Sequence, residues 1–277
     1  GAQYCNETKG INHGVTLIGW DDNYSASNFL ITPPGDGAWI FKNSWGENSG
    51  NDGYYYASYY DVNFATLVES VAFVLENAVE YNMNYQMDIG GVVTFKQADE
   101  YANEYLAFAD DLIAGIGTYF NASGVDYIVE VYVNDVLKLN QSGTSPFYGF
   151  HTIKLDSYIP VKEGDIFVVK ITSGAVPILI DSRQHYPEGL SAYLMNGTWV
   201  NASDNNTVCA IKVYTVADDS QLTGNEDLSV DYAGGKYFKV KITTADGHDV
   251  TGADVKFTIN KNTVSVKTYN DGIAKVK

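Results

Sequence analysis

Two polar residues stand beside two strand-like runs near the start of the chain. His13 precedes the short apolar, β-branched run at residues 15–20, and Asn43 follows the run at residues 38–41. Such runs, bounded by turn-forming residues, predict two buried β-strands. If the strands are neighbours, His13 and Asn43 lie side by side at their ends. An imidazole held by an amide oxygen is two-thirds of a Cys-His-Asn nucleophilic site.

The chemistry of such a site explains these residue types. A thiol needs a base within hydrogen-bond reach, and pairing with an imidazolium lowers the thiol pKa so that thiolate exists at neutral pH. Gly46 and Gly53 suit places where the backbone turns tightly or another segment comes close. For a lone pair of residues, a half-buried histidine and a turn asparagine would be the favoured interpretation. The ordered Trp, Gly and Tyr residues around this pair favour the site instead.

The two segments resemble the C-terminal half of a papain-like cysteine peptidase. The likeness lies in NHGVTLIGWDD, where the histidine opens a strand, and in GAWIFKNSWGENSGNDGYYYASYYD, which contains an Asn-Ser-Trp-Gly motif followed by Gly-Tyr. The resemblance implies that His13 is the general base and later acid, and that Asn43 orients it. It also implies that Trp45 shields their hydrogen bond from water, and that catalysis needs no cofactor.

The nucleophile of that family lies far upstream of the histidine, in a Cys-Gly-Ser-Cys-Trp-like segment at a helix N-terminus. Only a dozen residues precede His13, and no such segment is among them. Cys5 lies in a polar lead-in with no helix start after it, so we interpret it as a structural thiol. The sequence is therefore expected to be the second half of a catalytic domain. Its expected partners are the N-terminal half that carries the nucleophilic cysteine and a protein or peptide substrate.

Composition narrows the remaining classes of function. The 277 residues include 17 basic and 34 acidic side chains, for a net charge of -17. Such a chain repels nucleic acid and anionic membranes, so neither is an expected partner. No stretch approaches the 18 consecutive apolar residues of a membrane-spanning helix. The chain suits an extracellular or cell-surface protein.

The pattern along the chain predicts a mainly β protein in three parts. Residues 1–75 form the peptidase half, a partial papain-like β-barrel that closes with the apolar residues Val68, Val71, Phe73 and Leu75. Residues 81–217 form a β-sandwich of the jelly-roll kind, and residues 222–277 form a partial third domain. The predicted strands are 15–20, 38–41, 54–60, 106–109, 112–120, 127–133, 150–155, 166–171, 178–181 and 208–215.

The middle part resembles the lectin-like domain attached to papain-like peptidases of clostridial and archaeal cell surfaces. The likeness lies in GFHTIKLDSYIPVKEGDIFVVKI, PILID, GTWVN and NNTVCAIKVYT. It implies a cell-surface glycan as a further candidate partner. Some members are associated with calcium, which prefers carboxylate and carbonyl oxygens. The candidate ligands are Asp110, Asp111, Asp181 and Asp204, although solvated loop carboxylates are the simpler interpretation of each. His151 and His185 have no partner at metal-ligand spacing and are interpreted as structural.

The last part, FKVKITTADGHDVTGADVKFTINKNTVSVKTYNDGIAKVK, alternates apolar and polar residues. It resembles the immunoglobulin-like repeats of adhesin-like surface proteins, which act as stalks. The leading hypothesis is a cell-surface cysteine peptidase of which this chain supplies the histidine and asparagine. The alternative is a catalytically inactive, adhesin-like binding protein whose peptidase half is vestigial.

Overall fold

The computed structural model describes residues 1–10, 13–64, 72, 74, 80–90, 92–180, 186, 188–224, 237–259 and 261–277. The chain forms two compact units, Gly1–Asn77 and Ala78–Lys277. The described residues are mainly β, as predicted, with short 3-10 helices at Ala26–Asn28 and Ala202–Asn205. No helix within these ranges is long and apolar enough to cross a membrane. The apolar residues Val68, Val71, Phe73 and Leu75 lie outside the described residues, as does the domain boundary predicted after them.

The first unit is built on one four-stranded sheet in the order β1-β4-β3-β2. Its strands, in chain order, are Ala2–Gln3 (β1), Thr16–Asp21 (β2), Ala38–Lys42 (β3) and Tyr54–Ser58 (β4). Strands β2, β3 and β4 pair antiparallel, and β1 joins β4 in parallel. The prediction that the two runs beside His13 and Asn43 are neighbouring strands is therefore confirmed.

The prediction that both runs are buried is wrong for β2. Leu17, Ile18 and Trp20 are 51%, 52% and 65% exposed, whereas Ala38 and Phe41 of β3 are 0% and 5% exposed. The physical reason is the position of β2 at the edge of the sheet, where β3 is its one partner among the described strands. The apolar pattern of β2 was correctly interpreted as a strand, but its large apolar side chains are exposed.

The second unit contains a β-sandwich. Its strands β5 to β17 are, in chain order, Met83–Gln86, Val92–Lys96, Glu100–Leu106, Asp111–Phe120, Asp126–Val133, Val136–Thr144, Gly149–Val161, Ile166–Thr172, Val176–Ile180, Ser191–Met195, Thr198–Asn201, Thr207–Cys209 and Lys212–Ala217. A six-stranded sheet, β10-β9-β12-β7-β14-β15, and a four-stranded sheet, β11-β8-β17-β5, contribute to one hydrophobic core. A smaller sheet, β16-β13-β6, adds to it.

Strand β9 shows why these sequences form a sandwich. Tyr127, Val129, Val131 and Val133 are buried, while the residues between them are exposed or half-buried. This alternation follows from the two-residue period of a strand, which sends successive side chains to opposite faces. The predicted strand at residues 127–133 is confirmed.

Two strand predictions in the sandwich are wrong. Residues 106–109 were expected to form a strand, but β7 ends at Leu106 and the following residues are a connection. Residues 208–215 were expected to be one strand, but Ala210 and Ile211 separate β16 from β17, which lie in different sheets. The break is stabilised by side chains of β7, because Asn103 Nδ2 donates to Cys209 O at 3.0 Å and the Tyr105 hydroxyl donates to Ile211 O at 2.8 Å.

The last part of the second unit carries strands Gln221–Thr223 (β18), Phe238–Thr243 (β19), Asp254–Ile259 (β20), Asn262–Lys267 (β21) and Ile273–Val276 (β22). Strands β18, β19 and β22 form one sheet, and β20 pairs with β21. This part contacts the sandwich at Tyr158, where the Tyr158 N–H donates to Asp249 O at 2.7 Å and the Thr251 N–H donates to Tyr158 O at 2.9 Å. The immunoglobulin-like interpretation and the three-part division remain predictions.

Candidate active site

The sheet of the first unit brings His13 and Asn43 together. His13 lies three residues before β2, and Asn43 directly follows β3, whose Lys42 pairs with Thr16 of β2. The distance between His13 Nε2 and Asn43 Oδ1 is 2.9 Å. The contact predicted from the two strand edges is confirmed.

The orientation of the asparagine amide fixes the tautomer of the histidine. The backbone N–H of Ser44 donates to Asn43 Oδ1 at 2.8 Å, and Asn43 is only 9% exposed. Because a backbone N–H requires an acceptor, the atom of the amide that faces His13 is the oxygen. An amide oxygen only accepts hydrogen bonds, so His13 Nε2 carries the proton. Nδ1 is then the basic nitrogen of the neutral imidazole.

The indole of Trp45 covers one face of the histidine. The ring centroids of His13 and Trp45 are 5.4 Å apart and their planes differ by 17°. Trp45 is itself 64% exposed. This stacking restricts rotation of the imidazole. The Nε2 edge of the imidazole remains directed toward Asn43.

The loop after Asn43 depends on glycines, as the sequence predicted. Gly46 and Gly53 have φ angles of 83° and 85°, a region that side-chain-bearing residues rarely adopt. A Cβ at Gly53 would lie 3.2 Å from Gly46 O, so the two glycines also approach each other closely. Asn43 N donates to Gly53 O at 3.0 Å, which closes the loop directly behind the asparagine side chain.

Cys5 lies away from Asn43 in the first unit, and Cys209 is buried within the second unit. The Cys5 N–H donates to Asp61 Oδ2 at 2.9 Å, and Asp61 lies three residues beyond the end of β4. Asn43 meets the opposite end of that strand, so the length of β4, about 13 Å at 3.3 Å per residue, separates the two. Cys209 is buried in the sandwich, where burial raises the pKa of its thiol to about 12 and keeps it protonated.

The candidate calcium ligands do not converge within the described residues. Asp110 accepts hydrogen bonds from the Glu163 N–H and from Lys162 Nζ, which hold the pKa of Asp110 below its ordinary value. Asp111 is buried, and its carboxylate accepts from Asn82 and Thr215. Asp204 is exposed, while Asp181 and His185 lie outside the described ranges. In those ranges no three His, Cys, Asp or Glu side chains form a group that could hold a metal ion.

The structural interpretation of His151 fits its surroundings. Its ring lies 5.5 Å from the ring of Phe147 and 6.3 Å from that of Phe120, both centroid to centroid. One group of the candidate site, the Ser44 N–H, could not be identified from the sequence, because a backbone donor is independent of residue type. It also did not single out Tyr55, whose ring contacts Trp45.

Two separate parts of the chain match known protein families. Residues 2–74 match the family described as papain family cysteine protease, and residues 84–215 match the family described as lectin like domain. A cysteine proteinase of Carica papaya is 47% identical over 45 residues, which are 16% of this chain and 44% of the papaya protein.

Two solved structures share the fold. One is the clostridial cysteine protease Cwp84 after propeptide cleavage, with 22% identity and a TM-score of 0.61 over 78% of this chain and 61% of that chain. The other contains the cysteine protease and lectin-like domains of Cwp84, a surface layer associated protein of Clostridium difficile. It has 22% identity and a TM-score of 0.60 over 78% of this chain and 55% of that chain. The chain thus spans between two-fifths and two-thirds of these relatives, and its two family matches lie in the same order as the cysteine protease and lectin-like domains of Cwp84.

Proposed function

We propose that this chain supplies the histidine and asparagine of a cysteine peptidase that hydrolyses peptide bonds at the cell surface. The observation that carries the proposal is the 2.9 Å contact between His13 Nε2 and Asn43 Oδ1 beside the Trp45 indole. A buried amide oxygen that fixes the tautomer of an exposed imidazole gives that imidazole a defined basic nitrogen. This is the arrangement that activation of a thiol requires.

In the proposed reaction His13 Nδ1 takes the proton of a cysteine thiol supplied by a second segment. The resulting thiolate attacks the scissile carbonyl carbon, while Asn43 Oδ1 continues to accept the proton of Nε2. His13 then gives the proton at Nδ1 to the leaving amine nitrogen, which leaves a thioester. A water molecule attacks the thioester and His13 Nδ1 takes its proton. As the carbon–sulfur bond breaks, His13 returns that proton to the sulfur, which releases the thiol and the carboxylic acid product.

The cysteine-bearing half is proposed to pack against the exposed side of β2. Leu17, Ile18 and Trp20 of this strand are exposed apolar side chains, and in the connection that follows β2, Leu30 and Ile31 are 100% and 59% exposed. Large exposed apolar patches on soluble proteins mark sites of association. Because β2 follows His13 directly, a partner on this surface would also lie close to the basic nitrogen.

The location and substrate are part of the proposal. One relative is described as a surface layer associated protein, and the charge of this chain discourages binding to nucleic acid or anionic lipid. A protein or peptide at the cell surface is the proposed substrate. The lectin-like domain is proposed to hold the enzyme near it by binding a cell-surface glycan.

A structural calcium ion in the lectin-like domain remains a separate proposal. If it binds, calcium at a hundred times its dissociation constant is expected to stabilise the second unit by about 2.7 kcal/mol. The measurement is thermal unfolding of the whole chain in calcium and in chelator, with magnesium as the control cation. Identical melting temperatures in all three conditions would contradict the proposal of a structural calcium ion.

The peptidase proposal is tested by joining the chain to a cysteine-bearing N-terminal half of a papain-family peptidase. The chain alone is expected to hydrolyse no peptide, because His13 has no thiolate to activate. The joined protein is expected to cleave peptides and to be labelled by a thiol-directed peptidase inhibitor at the supplied cysteine. Hydrolysis by the chain alone would identify another nucleophile. A folded joined protein that binds surfaces but cleaves nothing would favour the adhesin-like alternative.

A further inference from the structure

Tyr55 lies behind the candidate active site at the meeting point of several groups. It belongs to β4 and pairs with Phe41 of β3, two residues before Asn43. Its ring stacks against Phe41 with centroids 5.9 Å apart and planes 18° apart. It stands edge-on to the Trp45 indole, with a centroid distance of 6.1 Å and an angle of 87°. Its hydroxyl oxygen is 2.5 Å from Ser49 Oγ.

The loop that carries Trp45 rests on this ring. Residues 43–53 connect β3 to β4, and the loop closes on itself where Gly53 N donates to Ser49 O at 2.8 Å. At Gly50 an added Cβ would lie 2.5 Å from Tyr55 Cε2, so the loop backbone packs directly on the ring. The loop therefore meets Tyr55 at three successive points: the indole of Trp45, the hydroxyl of Ser49 and the backbone of Gly50.

We propose that Tyr55 is a positioning residue for His13. By bonding to Ser49 and contacting the Trp45 ring, Tyr55 keeps the indole stacked on the imidazole, and the imidazole then keeps its hydrogen bond to Asn43. The inference rests on the proposed function of the His13–Asn43 pair. In this proposal Tyr55 acts on His13 indirectly, by holding Ser49 and Trp45 of the loop in position.

Two substitutions separate this role from ordinary packing in the sheet. Tyr55→Phe retains the ring contacts with Phe41 and Trp45 and removes only the hydroxyl. Ser49→Ala removes the other partner of the same hydrogen bond without altering β4. If that bond holds the loop, the two variants should behave alike and the double variant should add little. Tyr56→Phe is the matched control, because Tyr56 is the next residue of the strand and its ring stacks on Tyr24 at 4.2 Å.

The readout is the proton NMR spectrum of the histidine rings in the whole chain. There are four histidines, so the His13 signals can be assigned by their loss in His13→Gln. An indole stacked on the imidazole displaces these signals upfield, and Trp45→Ala gives their position without it. In Tyr55→Phe and in Ser49→Ala the signals are expected to move toward the Trp45→Ala position. In Tyr56→Phe they are expected to stay unchanged.

Activity of the joined peptidase provides the second readout. Because small misplacements of a catalytic group are costly, Tyr55→Phe and Ser49→Ala are expected to lower kcat by up to about 100-fold with little change in KM. His13 signals that stay in place in both variants would overturn the positioning role, whatever the activity. Signals that move as expected in a chain whose joined form is inactive would support the positioning role and contradict the peptidase proposal.

Discussion

Replacing His13 by alanine in the joined peptidase is expected to lower kcat/KM by at least about 10⁴-fold, because the thiol then has no base and the leaving amine has no acid. Asn43→Ala is expected to cost less, about 100-fold, because the imidazole remains but its tautomer is no longer fixed. The measurement is steady-state hydrolysis of a fluorogenic peptide, with the concentration of active sites titrated by a thiol-directed inhibitor.

His248→Ala is the matched control for these variants. It removes a histidine of the second unit that stacks on Tyr158 and pairs with Asp246, so activity should be unchanged. A His13→Ala enzyme that retains more than about a tenth of the wild-type kcat/KM would contradict the assignment of His13 as general base, because such a base contributes at least about 100-fold.

Replacing Phe167 by alanine is expected to destabilise the second unit by about 3–5 kcal/mol. Phe167 is 0% exposed and lies in the sandwich core, with its ring centroid 5.1 Å from that of Tyr85 and 5.4 Å from that of Tyr105. Removing the ring loses its burial and leaves a cavity between the two large sheets. Thermal unfolding followed by circular dichroism should show a melting temperature lowered by roughly 10 °C.

Phe108 provides a close comparison for Phe167. Its ring also packs on Tyr85, at 5.6 Å, but Phe108 is 63% exposed. Phe108→Ala is therefore expected to change the free energy of unfolding by less than about 1 kcal/mol. Equal losses in the two variants would mean that the core does not lie between these sheets.

More of the candidate site than of the strands around it could be predicted from the sequence. His13, Asn43 and Trp45 were identified from residue type and order, and the contact between the first two follows from the pairing of β2 with β3. The exposure of β2 could not be predicted. An apolar run has the same pattern whether the surface that covers it belongs to the same unit or to another segment.

The misplaced strands of the sandwich have a different cause. In β7 the core-facing residues are Tyr101, Asn103 and Tyr105, so the strand lacks the apolar alternation that marks a buried strand. These polar groups are buried because they bond to other buried groups: the Asn103 amide and the Tyr105 hydroxyl reach carbonyls more than a hundred residues later in the chain. The pattern of a few consecutive residues contains no information about a contact with a residue so distant in the sequence.

The attachment at Tyr158 has a mechanical consequence. Strand β11 contains an irregularity in its pairing with β8 between Lys154 and Ile159, and Tyr158 in this stretch forms a parallel bridge with Val250. Val250 also packs with Leu112 and Ala114 of β8. Separating the last part of the chain from the sandwich would therefore break backbone hydrogen bonds and expose apolar side chains together. The last part of the chain and the sandwich are therefore expected to separate in one step, because both kinds of contact are lost at the same junction.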